Sequence, residues 1–175
     1  MHEWWTQARI FDTLPISMDE YFAILSQLNA ARSGHRGAEH RKHARVRYWH
    51  RDTKVLLRFS DNSQAAYAVK PHNLSAMGLS FLHGFYVHVG IDCETALQDL
   101  AGRTVVVPGE AVRCRHVSGK THEIGVEFAH AIDLLEFVAD NDRAVLIFER
   151  VKRTTALALT CGGPAPSFRP SSLKT

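Results

Sequence analysis

The sequence predicts a mainly β protein with helical additions at both ends, and three observations carry that expectation. Side chains alternate with a period of two in short runs. Val112, Cys114 and His116 face away from Arg113 and Arg115, and Ile124, Val126 and Phe128 share one face of the run that follows. A period of two belongs to a half-buried strand. Turn chemistry separates the runs, at Asp61-Asn62-Ser63, Pro108-Gly109 and Ser118-Gly119-Lys120. Helical spacing is confined to the flanks, where Tyr21, Ile24, Leu25 and Leu28 recur as one stripe.

Taken in order, the chain opens with Trp4, Trp5, Ile10, Phe11 and Leu14, too aromatic for an inert tail and expected to pack on the domain or on a partner. Ser17-Met18-Asp19-Glu20 reads as a capping box, with Ser17 at the N-cap and Glu20 reaching back. A helix is expected over residues 18–31. Its apolar stripe either covers the sheet or offers a homodimer surface. Residues 33–43 are rich in Gly, His and Arg and read as a flexible arm. Strands are expected within 46–59, over 64–69, from Leu79 and over 103–107, 110–117 and 121–128. Pro71-His72 should end the second of these and Pro108-Gly109 should separate 103–107 from 110–117. Residues 84–89 read as strand or loop, and Ile91 to Leu100 is ambiguous, with a single helical turn at Ala96 to Leu100 one option. A helix should start at Asp133 with Leu134, Leu135, Phe137 and Val138, and a second should run over 143–152. The tail, 154–175, is rich in Pro, Ser and Gly and reads as disordered.

Composition sets the outer bounds. The 175 residues are 45% hydrophobic, enough for a real core, and net charge is only +3. The charge is unevenly spread: residues 32–58 hold nine Lys or Arg against Glu39 and Asp52, a local field that draws a polyanionic ligand. Cys93, Cys114 and Cys161 are odd in number with no C-x-x-C, so a reducing cytoplasm is expected rather than a disulfide framework. No run of about 18 apolar residues predicts a membrane span, and the N-terminus has no signal-peptide core. His35, His40, His43 and His50 match no zinc spacing, so no metal or cofactor is expected. No phosphate-binding glycine motif or catalytic set stands out, and the chain does not read as an enzyme.

Two stretches carry the functional reading. Arg41-Lys42-His43-Ala44-Arg45 sets two guanidinium groups four residues apart beside a lysine. A guanidinium is a planar fork suited to a phosphate or to the O6/N7 edge of guanine. Asn73-Leu74-Ser75-Ala76-Met77-Gly78 offers an amide, a hydroxyl and a glycine, able to meet a base edge or close a tight turn. The combination suits a guanine nucleotide.

In these residues the chain resembles the PilZ domain family, whose signature is R-x-x-x-R followed by [D/N]-x-S-x-x-G. The resemblance covers roughly residues 39–139. It implies a six-stranded antiparallel PilZ-like β-barrel, here with an N-terminal helix and a C-terminal helical extension. It also implies a bacterial, non-catalytic receptor for the second messenger cyclic di-GMP. Arg41, Lys42, Arg45, Asn73, Ser75 and Gly78 would form the ligand site, with the arm folding over the nucleotide. Lys42 and Ala44 stand where the family often has arginine and proline. The implied organisation is a segment, helix and arm over 1–38, the barrel over 39–139, a helix over 140–153 and a tail over 154–175. Such a receptor signals to a protein effector in motility or exopolysaccharide output. Two alternatives stay open: a degenerate PilZ adaptor without nucleotide binding, and a basic-arm nucleic-acid binder.

Overall fold

The two N-terminal tryptophans begin a four-residue helix, α1 (Trp4–Gln7), and the apolar stretch behind it forms a strand, β1 (Ile10–Asp12). The capping box then closes as read. The Ser17 N–H donates to Glu20 Oε2 at 2.8 Å and the Glu20 N–H donates to Ser17 Oγ at 3.2 Å. These bonds satisfy orphan donors at the start of α2 (Met18–Ser33), and those from Ser17 hold the Glu20 carboxyl below its usual range. Strands follow at β2 (Arg45–Arg47), β3 (Lys54–Arg58), β4 (Gln64–Ala68), β5 (Lys70–Ser75) and β6 (Gly78–His83). The last three are β7 (Asp92–Gln98), β8 (Thr104–Ser118) and β9 (Thr121–Phe128). The computed structural model describes residues 3–33, 43–49 and 53–138. The expected arm, the second C-terminal helix and the tail lie outside them.

Among the described residues the strands form one sheet in the order β1-β4-β3-β7-β8-β9-β6-β5-β2. Every pairing is antiparallel except that of β1 with β4. The mainly β, PilZ-like class is that expected, but the sheet has nine strands rather than six and its ladder is open, ending at β1 and β2. The sheet nonetheless curls around one core. Val46 and Tyr48 at one end share a cluster with Leu57 and Tyr67 near the other, around Leu79, Phe81, Ile124 and Phe128. The Tyr48 hydroxyl ties the segment after β2 to β7, donating to the Gln98 carbonyl and accepting from the Gln98 N–H, both at 3.1 Å. Leu134, Phe137 and Val138 close this core from a 3-10 turn, Leu134–Glu136, with Asp133 accepting from the Leu135 N–H. One turn thus stands where a helix was expected.

Each outer face carries a smaller cluster. Trp4 covers Leu56, Ala66 and Ala96. Tyr21 and Leu28 of α2, with Leu14, cover Leu82. The Tyr21 hydroxyl donates to the Pro71 carbonyl, and burial pushes its pKa up to about 12. The apolar stripe of α2 is therefore buried on the chain's own sheet. Among the described residues no helix is long and apolar enough to cross a membrane.

Two elements depart from expectation and an ambiguous one is resolved. Residues 92–98, ambiguous in sequence, form a strand and not a helical turn, because β3 and β8 hydrogen-bond to both of its edges. Pro71 and His72 lie inside β5 with a register shift between Pro71 and Asn73, so the proline sits at an irregularity rather than at an end. Pro108-Gly109 does not break β8. Residues 104–110 pair with β7 and 109–118 with β9, so this dipeptide is where one long strand passes from one neighbour to the other. Residues 84–89, read as strand or loop, are loop.

Candidate functional site

The second motif is a hairpin. Ser75 and Gly78 are cross-strand partners, with Ala76 and Met77 at the turn, and Ser75 Oγ donates to the Gly78 carbonyl at 3.1 Å. The turn is held from behind: the Phe128 N–H donates to the Met77 carbonyl and the Ile132 N–H to the Ala76 carbonyl, each at 2.9 Å. A Cβ on Gly78 would stand 2.3 Å from the Val126 carbonyl oxygen. Close approach of β9 thus requires glycine here whatever binds in front.

The last arginine of the first motif lands beside this hairpin. β2 pairs with β5 so that Arg45 lies opposite Ser75 and Arg47 opposite Asn73, while Val46 and Leu74 point into the core. Arg45, Asn73, Ser75 and Gly78 line one open concavity of about 440 Å³. Ser80, Arg113 and Glu127 extend it across β6, β9 and β8, and His43 stands at its rim. Arg47 instead lines a neighbouring groove of about 310 Å³ between α2 and β2, with Phe22 and Trp49. Trp49 is 49% exposed and meets Phe22 edge-on at 5.6 Å. Arg41 and Lys42 lie outside the described residues.

Sequence reading missed a charge network behind the site. Glu123 is fully buried on β9. Its Oε1 accepts from Arg113 Nη2 at 3.0 Å and lies 3.1 Å from His72 Nε2, and its Oε2 accepts from Arg115 Nη2 at 2.8 Å. His72 Nδ1 in turn lies 2.9 Å from Asn73 Nδ2. The hairpin turn at Ser118-Gly119-Lys120 held a signal for this: it sets Arg115 opposite Glu123.

A larger hollow of about 600 Å³ lies under α1, lined by Trp4, Trp5, Leu56, Val106 and Pro108. It holds one arginine, Arg58, paired with Glu94, whereas the smaller concavity gathers two, Arg45 and Arg113, with the short polar side chains of Asn73, Ser75 and Ser80. The smaller one is the better candidate for a charged ligand. Among the described residues no group of three or more His, Cys, Asp or Glu could hold a metal ion.

No family model matches the chain and no curated protein matches it in sequence. Among solved structures it is similar to the PilZ domain with c-di-GMP of YcgR from Escherichia coli. That match has 15% identity and a TM-score of 0.38, covering 67% of this chain and 97% of that one. It is also similar to the Bacillus subtilis inhibitor of motility MotI/DgrA, at 14% identity and TM-score 0.38, covering 67% and 52%. A third likeness is to YcgR from Escherichia coli in complex with c-di-GMP, at 16% identity and TM-score 0.39, covering 69% and 50%. The chain spans about half the length of the last two. At TM-scores below 0.4 these overlaps are loose.

Proposed function

We propose that this chain is a non-catalytic receptor for cyclic di-GMP that passes ligand binding on to a protein partner. The observation that carries this reading is the pairing of Arg45 with Ser75 at the edge of a concavity that Asn73 and Gly78 also line. Arg45, the last arginine of the first motif, and Ser75 of the second lie thirty residues apart in sequence. The volume lies within the range of roughly 300–1,000 Å³ usual for small-molecule sites. Arg45 and Arg113 supply guanidinium forks for phosphate and for the guanine O6/N7 edge, while Ser75 and Asn73 meet the base. Lys42 adjoins the rim residue His43, and Arg41 is one residue further. Both are proposed to add cationic groups to the same ligand. Closure of the preceding arm over the nucleotide is the conformational signal offered to the partner.

Isothermal calorimetry with cyclic di-GMP tests the reading. The wild-type chain is expected to bind at low micromolar concentration or tighter. Arg45→Ala removes charge-assisted bonds worth about 1.5–3 kcal/mol, so affinity should fall by about 10- to 100-fold. Ser75→Ala should weaken binding less. A folded wild-type chain that releases no heat with cyclic di-GMP would instead be an adaptor without a nucleotide.

A further inference from the structure

We infer that Glu123 and His72 are positioning residues that turn the Asn73 amide so that its carbonyl oxygen meets the ligand, and that this orientation selects guanine over adenine. The inference rests on the cyclic di-GMP reading above and adds a specificity device to it. The starting point is the buried Glu123 carboxylate, whose oxygens only accept hydrogen bonds. The His72 nitrogen facing it at 3.1 Å, Nε2, must therefore carry a proton. The other ring nitrogen, Nδ1, lies 2.9 Å from Asn73 Nδ2, which only donates. Nδ1 accepts that bond and carries no proton. The imidazole is the neutral Nε2–H tautomer, fixed by the carboxylate behind it.

The observed amide orientation and this tautomer are one arrangement, each requiring the other. With Nδ2 committed to His72, Asn73 Oδ1 has no hydrogen-bond partner among the described residues, and Asn73 lines the concavity. The site thus offers a base a carbonyl acceptor. The Watson–Crick edge of guanine presents two adjacent donors, N1–H and the 2-amino group, to such an acceptor. Adenine presents its 6-amino donor beside N1, whose lone pair opposes Oδ1. The same amide turned over would present NH2 and favour adenine N1. The same carboxylate also holds Arg113, which lines the same concavity. One buried acid therefore sets both a base-reading group and a cation.

Two measurements on the full chain test this. Histidine-selective 15N spectra of the ligand-free protein should report His72 as the neutral Nε2–H tautomer. An imidazolium or an Nδ1–H tautomer overturns the inference, and this reading needs no variant and no ligand. Calorimetry then compares cyclic di-GMP with cyclic di-AMP. His72→Phe frees the amide to rotate, and the preference for the guanine ligand should fall by at least about tenfold. Adding Asn73→Asp to His72→Phe should restore the preference, because a carboxylate has no NH2 to present. An unchanged preference in His72→Phe overturns the inference and leaves the receptor reading standing. A wild-type chain that binds neither ligand overturns both.

Discussion

Gly78 belongs to a ligand motif and is also required by packing, because the Val126 carbonyl oxygen occupies the space a Cβ would need, 2.3 Å away. Gly78→Ala should therefore destabilise the fold by about 1–3 kcal/mol in urea denaturation, with or without nucleotide. An unchanged midpoint would mean that the close approach is not limiting. Arg45 and Ser75 report on the site more cleanly, since neither side chain fills the core. His83 illustrates a residue with no signal in the sequence. It is 1% exposed, its Nδ1 lies 3.2 Å from the Phe85 carbonyl, and its Nε2 has no partner. Burial lowers its pKa from 6.5 to about 4. The unfolded chain takes up the proton first as pH falls below 6.5, so stability is full above that value and declines down to about pH 4. The loss should approach about 3 kcal/mol. His83→Phe should flatten the stability profile across this window, and an equal slope in variant and wild type would contradict the assignment.

Among the elements, α2 was the most legible, because a capping box and an apolar stripe are both local signals. What the stripe covers was not local information: it rests on Leu82 and Leu14, on other elements. Leu28→Ala should cost about 2–5 kcal/mol of unfolding free energy, with no change in molecular mass by light scattering. A variant of unchanged stability but altered oligomeric state would favour the dimer role instead. The strand β7 was hidden for the opposite reason. Ala96, Leu97 and Gln98 carry helical propensity, and only pairing on both edges makes them a strand. β1 was missed similarly, since Ile10–Asp12 is too short to alternate and gains its form from a parallel pairing with β4. The hairpin of β8 and β9 was readable in outline, but Pro108-Gly109, where a change of neighbour resembles a break, and the register shift between Ala111 and Arg113, which leaves Val112 exposed, were not.

At the scale of the whole molecule, the sheet brings together what the sequence holds apart. β2 stands at one end of the strand order and β8 lies in its middle, yet Arg45 and Arg113 line the same concavity. The two motifs were visible as residue types in order. The register of β2 on β5 sets the last arginine of the first motif, Arg45, opposite Ser75, whereas the Glu123 network depended on side-chain contacts across three strands. Residues 32–58 are strongly basic in sequence although net charge is only +3, and Arg45 and Arg113 line the concavity. A nucleotide site and a nucleic-acid surface differ in how they use such charge. An excess of short duplex DNA should fail to displace bound cyclic di-GMP at physiological salt, and displacement would favour the nucleic-acid reading.

The most direct measurement is a pair of 1H–15N spectra of the labelled chain, with and without cyclic di-GMP. The account predicts shifts clustered at Arg45, Asn73, Ser75, Gly78, Ser80 and Gly125, with the Trp4 and Leu56 region unmoved. Shifts centred on Trp4, Leu56 and Val106, or no shifts at saturating ligand, would contradict it.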